Sequence, residues 1–183
     1  MSNNTKTIIN LNVVEMDKGA FASRLGDAHE LIVTGILMRL GLEVSVVSVK
    51  GGPYDLLIRT FTKPDKSETE IIKAQVKTIG TNRDDTRSTS ISFVAGIRAG
   101  KNRTYKSDVK KYKYTTQHND IIIGFDKLTM DLYLLPTRYV GDFGESKSIG
   151  RLQPLKNNWD IFLNWNDDYL EELKRELPDF RAS

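Results

Sequence analysis

The hydrophobic period of this chain changes near residue 42. From Asp17 to Leu42, Phe21, Leu25, Ala28, Ile32, Ile36 and Leu40 recur at three- and four-residue steps, the spacing of one face of an α-helix. Gly41 is placed to end that helix. Beyond it the pattern turns β-like. Glu43 to Val49 is short and β-branched, and Lys50-Gly51-Gly52-Pro53 is a strong turn signal. Tyr54 to Phe61 and Thr69 to Ile79 then read as a strand pair joined through Pro64-Asp65-Lys66-Ser67. A long helix feeding paired strands must bury its stripe against their sheet, which points to a layered α/β fold.

The rest of the chain extends that pattern. Thr7 to Val14 reads as a strand or an ordered arm, Thr89 to Ala95 as a strand, and Tyr105 to Gln117 as a basic helix. Asp120 to Phe125 and Leu132 to Leu135 follow as buried strands. A last helix starts near Asn166 or Asp167, with acids in its first turn, Lys174 and Arg175 in its last, and Pro178 beyond. At 183 residues the expectation is one domain, with a core over about 18–136 and a C-terminal extension over 137–183 ending in a helix.

Alternation places candidate chemistry on the paired strands. In Thr69 to Ile79, Gln75 and Lys77 share a face with Lys73 and lie about 6–7 Å apart along the strand. Ile72, Ala74 and Val76 take the opposite, core face. Asp55 shares a face with Leu57 and Arg59, and if the two strands pair near their turn-proximal ends it reaches the side of Gln75 and Lys77. Asp55, the Gln75 side-chain oxygen and the Val76 backbone carbonyl are oxygen donors suited to part of a Mg²⁺ shell. Lys77 can hold or polarise a water and offset charge on a phosphate, and Glu30, on the long helix, can bind a second ion or position the water. That donor set suits metal-assisted hydrolysis. Taken singly, each residue has a plainer reading as a turn aspartate, a solvated sheet face or a surface glutamate.

Charge is uneven despite a net of only +3. Arg98, Lys101, Arg103, Lys106, Lys110, Lys111 and Lys113 stand against Asp108 alone, interleaved with Tyr105, Tyr112 and Tyr114. Such a run is either a solvated helix face or a contact surface for a polyanion such as DNA, with Arg83 and Arg87 as further backbone contacts. Cysteine is absent and only His29 and His118 occur, which argues against thiolate and histidine metal centres. No apolar run is long enough to span a membrane and no secretory segment opens the chain, so a cytoplasmic protein is expected.

The order Glu30, then Gly52-Pro53-Tyr54-Asp55-Leu56-Leu57-Ile58, then Ile72-Lys73-Ala74-Gln75-Val76-Lys77-Thr78 resembles the PD-(D/E)XK nuclease superfamily over about residues 20–80. Tyr105-Lys106-Ser107-Asp108, Asp120-Ile121-Ile122-Ile123 and Tyr133-Leu134-Leu135-Pro136 are similar to its branch of Holliday-junction-resolvase-like and intron-encoded homing endonucleases. The resemblance implies a restriction-endonuclease-like αβββαβ core with a mixed central sheet flanked by helices. It also implies Mg²⁺, with Mn²⁺ able to substitute, and DNA cleavage. By it Asp55 is the metal-binding Asp, Lys77 the catalytic Lys and Glu30 the helix acid. Tyr54 separates Pro53 from Asp55, and Gln75 stands where an acid is usual, so this is a Gln-x-Lys variant. A neutral amide oxygen binds Mg²⁺ less strongly than a carboxylate.

The expectation is therefore a metal-dependent DNA endonuclease of restriction, homing or junction-resolving type. Cutting both strands calls for a homodimer or homotetramer. The rivals are a catalytically impaired DNA-binding module of the same fold and an interaction protein with no nucleic-acid role.

Overall fold

A computed structural model describes residues 14–48, 52–95 and 112–180. It begins with α1 (Lys18–Arg39), where Asp17 caps the first turn by accepting from the Gly19 and Ala20 amides at 2.9 and 3.1 Å. Gly41 follows the helix at φ +85°, the left-handed conformation in which a side chain is strained.

The central sheet is mixed and has the order β1 (Val44–Val46), β2 (Leu56–Phe61), β3 (Thr69–Thr78), β8 (Ile121–Phe125), β9 (Leu132–Pro136). Every neighbouring pair is antiparallel except β3 and β8, which run parallel with Gln75 opposite Ile122 and Lys77 opposite Gly124. A parallel pair needs a long crossover. Its described parts are β4 (Gly80–Thr81), β5 (Ser88–Ser92), β6 (Val94–Ala95) and β7 (Tyr112–Lys113). β5 pairs with β4 and with β10 (Ser146–Ser148), and β6 pairs with β7.

The two faces of the sheet carry different layers. α1 covers the face of Ile72, Ala74 and Val76: His29 Nδ1 lies 2.6 Å from Thr78 Oγ1, and its ring packs at a tilt against that of Phe125, 4.8 Å between centroids. On the opposite face Gly124 leaves room for Ile91 of β5, and a Cβ at Gly124 would overlap the Ile91 side chain. Ile91, Phe93 and Ile79 are buried there. The C-terminal part closes the sheet edges. The Asn157 amide and side-chain oxygen pair with the Leu132 backbone at 2.7 and 2.8 Å, and the Trp165 amide donates to the Phe61 carbonyl at 2.7 Å. The last helix, α2 (Asp167–Glu176), is capped by Asn166, whose Oδ1 accepts from the Tyr169 amide.

Two expectations are corrected. The basic helix over Tyr105 to Gln117 is not one where it is described: Tyr112–Lys113 is a strand paired with Val94–Ala95, and a turn follows at Thr116 to His118. Tertiary pairing overrides a weak local preference here. The buried row of α1 is His29, Val33, Thr34 and Leu37, one position round from the predicted one. Leu31, Ile32, Met38 and Leu40 are exposed, so the helix is apolar around most of its girth and period alone does not select the packed row. The expected arm over Thr7 to Val14 lies, up to residue 13, outside the described residues. Among the described residues no helix is long and apolar enough to cross a membrane.

Candidate active site

Asp55 sits just before β2, where its amide donates to the Ala74 carbonyl of β3 at 2.8 Å. This places its carboxylate over the C-terminal half of β3. The turn that presents it is anchored from β8: Asn119, fully buried, donates from Nδ2 to the Pro53 carbonyl at 3.0 Å and accepts from Thr137 Oγ1 at 2.5 Å. Asp55 Oδ2 accepts from the Val76 amide at 2.7 Å and, in a short contact, from Gln75 Nε2. Gln75 Nε2 also donates to the Val76 carbonyl at 3.2 Å. One amide nitrogen thus touches two of the oxygens expected to hold a cation. Gln75 Oε1 accepts from the Tyr114 hydroxyl at 3.2 Å, and the Lys77 ammonium lies over the Tyr114 ring, 4.9 Å from its centroid.

The electrostatics follow from burial. Desolvation pushes the Asp55 carboxyl above its ordinary range, and the Val76 amide, the Lys77 charge and the Gln75 amide partly offset it. Desolvation pulls the Lys77 ammonium below its ordinary range, opposed by Asp55 and then by Glu30. Glu30 thus joins the cluster through its charge on Lys77. Burial also raises the Tyr114 phenol, so it is protonated and able to donate throughout the working pH range. The donor set contains hard oxygens only, and two of them already converge on one point, so it fits a small divalent cation held by Asp55, the Val76 carbonyl and a Gln75 amide turned to present its oxygen. Among the described residues no group of three or more His, Cys, Asp or Glu forms a metal-binding cluster. A cation here would therefore rely on the Asp55 carboxylate completed by neutral donors and water.

The remaining site residues are dispersed. Arg83 and Arg87 are exposed on the β4–β5 turn, which is stiffened by Asn82 Oδ1 accepting from the Thr86 and Arg87 amides at 2.8 and 3.0 Å. Lys113 turns inward and donates to the Phe143 carbonyl, a structural tether rather than an open cation. Arg98, Lys101, Arg103, Lys106, Lys110 and Lys111 lie outside the described residues. His29 has a packing role, its ring pKa lowered by burial and then by the Lys127 charge. Sequence reasoning missed two residues. Tyr114 reads as one aromatic among basic residues, and Asn119 as part of a loop. No local signal marks either, because both reach the site only through the β3–β8 crossover.

The fold defined by these elements is a mixed five-stranded sheet with flanking helices. It is similar to the solved structure of the bacterial homing endonuclease I-Ssp6803I, with a TM-score of 0.51 and 15% identity, over 67% of this chain and 74% of that one. No protein-family model matches the chain. No curated protein matches it either.

Proposed function

We propose that this protein is a divalent-metal-dependent DNA endonuclease of the PD-(D/E)XK type in its Gln-x-Lys variant, hydrolysing phosphodiester bonds with Asp55, Gln75, Lys77 and Glu30. The observation that carries this reading is the convergence of Asp55, Gln75, the Val76 carbonyl and Lys77 at one end of the β2–β3 pair. The likeness of the fold to a homing endonuclease supports it.

A bound Mg²⁺ or Mn²⁺ would polarise the phosphoryl oxygen and supply hydroxide near neutral pH. Asp55, the Val76 carbonyl and Gln75 would hold it. The Lys77 ammonium, poised by burial against Asp55 and Glu30, stabilises negative charge building on the phosphate and orients the attacking water. Glu30, with Asp55, favours the charged form of Lys77. Arg83, Arg87 and the basic run from Arg98 to Lys111 supply phosphate contacts, so DNA affinity falls steeply with salt. Cutting both strands of a duplex requires two such sites, hence a symmetric dimer or tetramer.

One observation favours a second reading, a DNA-binding module that does not cut: the Gln75 amide nitrogen takes the point where a cation would sit. Supercoiled plasmid incubated with Mg²⁺ or Mn²⁺ separates the two. Nicking by the parent and none by Lys77→Ala supports the nuclease. Salt-sensitive binding without nicking by either protein supports the module. Absence of salt-sensitive DNA binding removes both and leaves an interaction protein.

A further inference from the structure

Tyr114 touches both polar side chains that β3 offers to the site, yet it comes from a segment 37 positions beyond Lys77 with no part in the proposed motif. We propose that Tyr114 is a positioning residue for this site: its hydroxyl sets the plane of the Gln75 amide and its ring seats the Lys77 ammonium. The inference rests on the nuclease reading for its consequence on rate, but not for its geometry.

Three features make Tyr114 a fixed support. Its amide donates to the Phe93 carbonyl at 2.9 Å, and the preceding residues form the β6–β7 ladder. Its ring meets Tyr112 edge-on at 5.7 Å and His118 at 6.2 Å. His118 is itself held, since its Nδ1 accepts from the Thr115 amide at 3.0 Å. The side chain is 3% exposed, so the hydroxyl has little freedom to seek another partner.

The hydroxyl is also chemically suited to its place. A neutral amide offers an acceptor at one end and a donor at the other, and a phenol can meet either. With Gln75 Nε2 on Asp55, Tyr114 donates to Oε1. With the amide turned to present Oε1 beside Asp55, the same hydroxyl oxygen accepts from Nε2. Gln75 is thereby held in one plane in both orientations. An acid at this position would not need such a partner. The ring meets a second need: Lys77 feels the charges of Asp55 from the turn before β2 and of Glu30 from α1, and its ammonium lies over the aromatic face of Tyr114.

The test uses the full chain and three proteins: parent, Tyr114→Phe and Tyr114→Leu. Phe keeps the ring and removes the hydroxyl, while Leu keeps apolar cover and removes both. The Lys77 ε-methylene resonances are followed by NMR at one fixed pH, without metal or DNA. Single-turnover nicking of plasmid with Mg²⁺ is measured beside DNA affinity. In parent and Tyr114→Phe the ring over Lys77 should hold those resonances upfield alike, and in Tyr114→Leu they should return toward the values of a free lysine. Tyr114→Phe should nick about fivefold more slowly at unchanged DNA affinity, the effect of one lost neutral hydrogen bond. Unmoved Lys77 resonances in folded Tyr114→Leu overturn the ring's role, and an undiminished rate in Tyr114→Phe overturns the hydroxyl's. If no protein nicks but the Leu variant still moves Lys77, the nuclease reading and the hydroxyl's effect on rate fail while the seat for Lys77 stands. Should Tyr114→Leu not fold, Tyr114→Met takes its place, with the same expected shift and the same overturning result.

Discussion

Gly124→Ala tests whether the layer bearing Tyr114 is seated where the geometry puts it. Gly124 is the fourth of the five residues of β8, opposite Lys77, and Ile91 rests on it. An added Cβ would overlap Ile91 Cδ1 and lie 2.9 Å from Cγ1, with Ile79 Cγ1 at 3.5 Å. Ile91 is fully buried, so it has no open space to enter. Overpacking of this kind costs about 1–3 kcal/mol. Against it stands a gain of about 0.4–1 kcal/mol from restricting the unfolded chain. The overlap wins, and the net loss lowers the melting temperature by roughly 2–4 °C per kcal/mol for a chain of this size. Ile91→Val removes Cδ1 at a cost of about 0.5–1.5 kcal/mol alone. In the double variant the added methyl enters the space Cδ1 leaves, so its cost should fall below the sum of the singles by at least about 0.5 kcal/mol. Denaturant unfolding of the four proteins measures that coupling. Plain additivity would refute Ile91 as the obstacle, and a stabilised Gly124→Ala would refute the close approach altogether.

Further perturbations probe the site. Gln75→Glu should retain or increase nicking and tighten Mg²⁺ binding by calorimetry, because a carboxylate replaces an amide that occupies the cation position; a loss of activity with an intact fold means Gln75 has a different role. Without metal that variant places two carboxylates side by side, so its melting temperature should rise more with added Mg²⁺ than the parent's. The pH–rate profile at low Mg²⁺ should be narrower than ordinary side-chain values give, since burial raises Asp55 above 3.8 and lowers Lys77 below 10.5. Activity needs Asp55 ionised and Lys77 charged, so it is lost as pH falls through the raised carboxyl and as pH rises through the lowered ammonium; Lys77→Arg should move only the alkaline limb. Asn119→Ala leaves the Pro53 carbonyl and the Thr137 hydroxyl without their partner and should cost about 1–3 kcal/mol in unfolding experiments.

The pairing of Asp55 with Gln75 and Lys77 is legible in the sequence because a strand has an invariant two-residue period, and one antiparallel partner suffices to join two such strands. The ends of α1 are legible for a similar reason, as Asp17 and Gly41 act locally. The row that α1 buries is not, since Leu31, Ile32 and Met38 make the helix apolar on several sides. Tyr112-Lys113-Tyr114 reads as helix from its basic setting, whereas its conformation comes from Val94 and Ala95, which lie far back in the chain. Tyr114 and Asn119 are invisible as site residues for the same reason: nothing within ten positions of either specifies its partner.

The parallel alignment of β3 with β8 also has a kinetic consequence. The β2–β3 hairpin closes over a short connection and can form early, displaying Asp55 and Gln75 to water. Gln75 and Ile122 are 47 positions apart, so bringing β8 alongside costs far more chain entropy and comes later. A growing or refolding polypeptide would therefore hold the acid–amide pair first and gain the aromatic cover of Lys77 last, when the long connection docks.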